Sequence, residues 1–301
     1  MLASVFNDRT YNVLLSNDTK EKSERIIISI AIFSFIVHVA AIELLKLGLI
    51  PAYLKQHLSS NLISAIYTPF SFILVYEVYL LVYYLSKSTS NYIGKQYEII
   101  TLIVIRRNFK DLANLHLIDD WFSDKYDLQF TYDIITALLL FFLIYLFHRL
   151  NDKRKTYGHG SSNSKGIKRF IRRKKNVAII LVPIFVSMAL YSFFMWSWDA
   201  IVALQEPGHR MEDVNNIFFD EFFTVLILTD VALLLYSFFT TNRFNRIIRN
   251  SGFIISTILI RLSFGVEGII NNLLIITAVA IGVLILLINN QYEKLETPEE
   301  L

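Results

Sequence analysis

The sequence predicts an all-α, polytopic membrane protein whose eight membrane segments form two parallel four-helix repeats. Three observations carry that expectation. Apolar residues make up 54% of the 301 and charged residues only 18%, with a mean hydropathy of +0.47; an ordinary soluble domain is about 25% charged. The charges bunch between long apolar runs instead of alternating with them, and several motifs of the first half recur in order in the second. Such a composition excludes a disordered chain, a nucleic-acid-binding domain and a typical soluble enzyme. With no cysteine in the chain, disulfide scaffolds, thiolate metal sites and thiol catalysis are excluded as well.

Residues 1–24 are rich in charge and hold no apolar core of signal-peptide length, so they are expected to form a cytoplasmic leader before an uncleaved first span. Five stretches, near 26–47, 61–85, 129–149, 177–199 and 218–239, reach the ~20 residues needed to cross a hydrocarbon layer of about 30 Å. Two shorter apolar segments, 92–108 and 252–264, finish in arginine, and a long apolar run follows the second of them to about 290. Cytoplasmic loops carry the excess Lys and Arg, and 11 of the 29 lie between Arg149 and Lys175. If both short segments cross, 21 of the 29 fall on the cytoplasmic side. If the first does not, the leader and the basic block land on opposite faces. Eight passes follow, with both termini cytoplasmic in a prokaryotic plasma (inner) membrane. The expected organisation is a first repeat at 25–150, a basic linker at 151–175, a second repeat at 176–292 and a short tail at 293–301.

The repeats are visible residue by residue. Tyr97-Glu98-Ile99-Ile100 through Ile105-Arg106 matches Gly252-Phe253-Ile254-Ile255 through Ile260-Arg261, and Ile134-Ile135-Thr136-Ala137 matches Ile275-Ile276-Thr277-Ala278. Glu77 precedes Arg106 by 29 residues and Asp230 precedes Arg261 by 31, while Glu43 parallels Asp199. An even number of passes per copy makes the copies parallel. Each copy thus carries a charged triad: Glu43, Glu77 and Arg106 in the first, Asp199, Asp230 and Arg261 in the second. An ion at the bilayer centre costs at least ~2.5–3.5 kcal/mol, and guanidinium is the natural partner for a carboxylate. Two readings of the triads stay open. They are internal clamps that lock helices together, or their carboxylates line a polar pathway for a proton or cation.

Little else points to chemistry. The six histidines are scattered, without HExxH or metal-ligand spacing, and neither a Gly-rich phosphate loop nor GxSxG nor a channel-filter motif occurs. No enzyme activity, cofactor or metal is expected. Arg243, Arg246 and Arg249 recur every third residue, as expected of a solvated helix start beside headgroups. Lys168, Arg169, Arg172, Arg173, Lys174 and Lys175 form a juxtamembrane block, expected to attract anionic lipid at about 1 kcal/mol per residue or to dock a cytoplasmic partner. Nucleic acid is not an expected partner, and a homo-oligomer is left open.

The repeat unit resembles the phosphate-starvation-inducible E (PsiE) family of small bacterial membrane proteins. Glu43, Glu77 and Ile103-Val104-Ile105-Arg106 fit its pattern in the first copy, and Asp199, Asp230 and Ile258-Leu259-Ile260-Arg261 fit it in the second. The chain departs by tandem fusion, by Asp for Glu in the second copy and by a longer segment at 108–128. The resemblance implies a four-helix bundle per copy and a link to stress. The functional expectation is a small-ion conductor, for a cation or a proton, with intramembrane carboxylate–arginine pairs. Its alternative is a non-conducting stress-response or defence module that docks a partner or anionic lipid through the basic linker.

Overall fold

Where apolar side chains run on without a break, the backbone has no partner but itself, and helices result. The structure, a computed structural model, describes residues 9–48, 65, 67–112, 125–157, 165–203, 214–238, 244–266 and 268–296, and contains no strand among them. After a short helical stretch at 9–14 come eight long helices. They are α1 (Asn17–Lys46), α2 (Tyr67–Leu85), α3 (Thr89–Leu112), α4 (Lys125–Tyr157), α5 (Lys165–Ala203), α6 (Val214–Phe238), α7 (Phe244–Ser263) and α8 (Ile269–Glu296). Among the described residues, four apolar helical stretches are long enough to cross a membrane: Arg9–Lys46, Asp127–Lys153, Glu221–Phe238 and Ile269–Leu295. They leave many large apolar side chains uncovered, Ile26, Phe33, Leu138, Phe142, Leu228 and Leu273 among them, which suits a lipid surrounding rather than water. Part of the expected span 61–85, the loop at 113–124 and the linker at 158–164 lie outside the described residues, as do the side chains of 189–190 and 192–203 in the helix that covers 177–199.

Local signals set the boundaries. Ser16 caps α1, its hydroxyl accepting from the Thr19 N–H at 3.1 Å, and Ser88 does the same for α3 through Asn91 at 3.2 Å. Gly48 and Gly268 take left-handed backbone, φ 73° and 70°, the conformation that glycine adopts at no steric cost after a helix or in a tight connection.

The chain divides into two units. One comprises Met1–Leu80, Arg106–Phe130 and Ile179–Phe222. There Tyr76 and Tyr79 of α2 donate to the Glu24 carboxylate at 2.7 Å and to the Leu14 carbonyl at 3.0 Å, and Phe185 packs on Phe222. The other comprises Leu81–Ile105, Thr131–Ala178 and Phe223–Leu301. Its core is aromatic on small: Tyr97 of α3 meets Phe147 of α4 edge-on at 5.1 Å, and Phe147 meets Phe253 of α7 at 5.9 Å. Gly252 and Gly282 lie directly under Ile285 and Tyr97, so α8 approaches α7 and α3 more closely than any side chain would permit. Polar ties set directions here. Asn272 donates to Asp133 at 2.6 Å and Asn290 to the Leu150 carbonyl at 2.8 Å, so α4 and α8 run parallel. Asn91–Asn151 and Glu98–His148 make α3 antiparallel to α4. Asn271 bonding to Ser263, with Gly252 under Ile285, makes α7 antiparallel to α8. Hence α3 and α7 also run parallel.

Candidate functional site

The charged residues expected to act together are distributed differently in the two halves of the chain. Glu43 is exposed near the end of α1 and pairs with Lys46 one turn away, at 2.8 Å. Such an exposed i,i+3 pair is worth a few tenths of a kcal/mol, about 0.2–0.5. Glu77 and Arg106 do come together. Arg106 Nη2 donates to Glu77 Oε2 at 2.6 Å with the residues 3% and 4% exposed, while Arg106 Nε finds no partner among the described residues. This is a buried ion pair bridging α2 and α3. The side chain of Asp199 lies outside the described residues.

In the second half of the chain the pairing differs. Arg261 is half-buried and its Nε donates to the Thr224 hydroxyl at 3.2 Å. Asp230, 5% exposed, instead accepts from the Gln96 amide at 3.1 Å. The Tyr92 hydroxyl is buried against the same carboxyl and the Gln96 amide without completing a hydrogen bond of normal geometry. The cation acting on Asp230 is Lys174, from α5. Lys174 belongs to the basic block, yet it is only 4% exposed and donates to the Lys87 carbonyl and the Thr89 hydroxyl, both at 3.3 Å. Arg169, Arg172 and Arg173 remain exposed and Lys175 half-buried, while the Lys168 side chain lies outside the described residues. Arg173 lies over the Tyr236 ring at 4.2 Å, a cation–π contact that aligns α5 with α6.

Two cavities flank Asp230. The first, about 30 Å³ counted as volume open to water centres, lies between Asp230, Tyr92 and Lys174 and is completed by Thr89, Ser237 and Asn250 among apolar walls. The second, about 10 Å³, lies toward Gln96 and Thr257. They have room for about two waters and about one water respectively.

Gln96, Tyr92 and the inward role of Lys174 were not expected from the sequence. A signal for each exists. Thr89, Tyr92 and Gln96 are spaced by three and four, which puts them on one face of a helix. Phe170, Lys174, Ala178 and Leu181 are spaced by four, four and three, and the last three are buried, so the inward stripe of α5 reaches back into the basic block.

Lys174 yields a pH prediction. Burial draws its ammonium from the ordinary value of 10.5 to about 8; Asp230 opposes that fall and Arg249 adds to it. Below about pH 8 the lysine is charged whether folded or not, and the fold bears the whole burial cost. Between about 8 and 10.5 the unfolded chain binds the extra proton, so this residue's contribution makes stability rise with pH across that window. Thermal unfolding in detergent below and within that window measures the rise, and Lys174→Met should flatten it. An unaltered slope in the variant would assign the effect elsewhere.

No family model matches the chain, and no curated protein or solved structure matches it either.

Proposed function

We propose that the chain is an integral inner-membrane protein of eight segments, built as two parallel PsiE-like repeats, that passes a small cation or proton by way of Asp230. The observation that carries this is the state of that carboxyl: buried among helices, without a guanidinium among its described neighbours, and bordered on two sides by small, mainly apolar cavities that hold a few polar side chains. Ionisable groups inside membrane bundles typically mark ion or proton routes when they border water-sized space. The parallel courses of α4 with α8 and α3 with α7 support the repeat reading. Both termini are read as cytoplasmic from the placement of basic residues. The Glu77–Arg106 pair is read as a clamp between α2 and α3, since the two opposite charges are buried against each other.

Ion flux into proteoliposomes tests this at matched reconstitution. Wild type should carry flux, Asp230→Asn should fall to the level of protein-free vesicles, and Arg169→Gln/Arg172→Gln should leave flux intact. The second reading, a docking module, is favoured by the exposure of Arg169, Arg172 and Arg173. It predicts no wild-type flux, together with loss of anionic-vesicle or partner binding in the arginine variant.

A further inference from the structure

We propose that Asp230, Tyr92 and Gln96 form a proton-binding relay between the two cavities, so that the transported ion is the proton and not a metal cation. This rests on the conduction reading above and narrows it.

The first argument is the donor set. A sodium, potassium or calcium ion is held by several oxygen atoms arranged around it. Asp230 instead accepts from the Gln96 amide at 3.1 Å, has the Tyr92 hydroxyl beside it, and feels across the cavity the charge of the Lys174 ammonium, which would repel a second cation. No group of three or more carboxylate or imidazole ligands exists among the described residues. Such a shell suits a carboxyl that alternates between charged and neutral.

Space is the second argument. Cavities of about 30 and about 10 Å³ take water singly or in pairs, and neither admits a metal ion with its hydration shell. Waters there find polar neighbours, Thr89, Ser237 and Asn250 in the first cavity and Thr257 in the second.

The third is the Tyr92 hydroxyl, a buried donor without a completed bond. A buried hydroxyl left so is costly, and a water in the adjoining cavity would satisfy it. The step balances simply. The Asp230 carboxylate takes a proton from a protonated water on one side and becomes a neutral acid. It then gives that proton to water on the other side and is a carboxylate again; one proton has moved and no charge is left behind. The groups that set its proton affinity are Tyr92 and Gln96 from α3, Lys174 from α5, and Arg249 from α7, which acts through Lys174.

Proteoliposomes holding a pH dye, driven by an imposed potential, provide the test, with labelled rubidium and sodium uptake measured in parallel. Infrared difference spectra of the same samples are recorded across pH. The expected result is proton flux without metal-ion uptake, together with a carboxylic-acid stretch that vanishes as pH rises. Both should be absent in Asp230→Asn, and proton flux should be reduced in Tyr92→Phe at unchanged thermal stability. Metal-ion uptake without proton flux overturns the relay and leaves conduction standing. Absence of all flux overturns both. Proton flux that survives in Asp230→Asn, or in Tyr92→Phe at the wild-type rate, places the route elsewhere and overturns the relay alone.

Discussion

Arg106→Leu is expected to destabilise the protein by about 3–5 kcal/mol, the range for removing one partner of a buried ion pair. Glu77→Leu/Arg106→Leu together should cost much less or nothing. The asymmetry follows from where the charges are. Arg106 and Glu77 are 4% and 3% exposed and 2.6 Å apart, so each has given up its hydration for the other. Removing the guanidinium leaves a carboxylate in an apolar bundle with no second cation among its described neighbours; it must take up a proton or unfold the helix contact. Removing both leaves leucines of adequate volume where apolar packing already surrounds them. Thermal unfolding in a fixed detergent, for both single variants and the double, completes the cycle. If the double variant is as unstable as Arg106→Leu, the pair does more than hold α2 to α3, and its clamp role fails. If neither single variant moves the midpoint, the pair is hydrated after all.

The helices and the first ion pair were legible in the sequence because both depend on local pattern. Long apolar runs leave helix as the only backbone solution, and Glu77 and Arg106 lie on consecutive helices joined by three residues, Ser86 to Ser88, so their partnership needs little long-range information. The charged residues of the second half were not legible in the same way. Alignment points Asp230 at Arg261, yet Asp230 meets Gln96, 134 residues away, while Arg261 reaches the Thr224 hydroxyl. A carboxyl on α6 faces α3 and α5 as well as α7, and matching one half of a sequence against the other says nothing about contacts between the halves. Glu43 shows the opposite case. Three residues before Lys46 and near a helix end, it is satisfied on its own surface, which spacing alone could have suggested. Lys174 was hidden by company: within a run of four basic residues it reads as solvated, and only its register with Ala178 and Leu181 turns it inward.

Gly282→Ala is the other substitution with a large expected effect, and Gly252→Ala is its control. Both glycines sit inside helices, where alanine would ordinarily stabilise by about 0.5–1 kcal/mol. At Gly252 an added Cβ meets Ile285 Cδ1 at 1.9 Å and Cγ1 at 3.0 Å, but that is the free end of an aliphatic side chain, which can change rotamer. At Gly282 it meets Tyr97 Oη at 1.9 Å, Cζ at 2.7 Å and Cε2 at 2.9 Å. The ring cannot turn aside, because Tyr97 is wholly buried and held edge-on by Phe147. Its hydroxyl also bonds Ser256 Oγ at 2.7 Å, and Ser256 in turn donates to the Ala278 carbonyl at 2.6 Å. Moving the ring breaks the first of these bonds, about 0.5–1.5 kcal/mol, in addition to the overpacking strain of about 1–3 kcal/mol. Gly282→Ala should therefore lose roughly 0.5–4 kcal/mol, centred on about 2, by the combination of those two effects less the helix gain, while Gly252→Ala should stay within about 1.5 kcal/mol of wild type. Tyr97→Phe in the Gly282→Ala background removes the Oη contact at 1.9 Å but keeps Cζ at 2.7 Å and Cε2 at 2.9 Å, so it relieves only part of the overpacking. Recovery of part of the loss in that double variant is the expected result. Equal instability of both alanine variants would mean that α8 simply withdraws from its neighbours, and that the close approach at Gly282 is not what holds α3, α7 and α8 together.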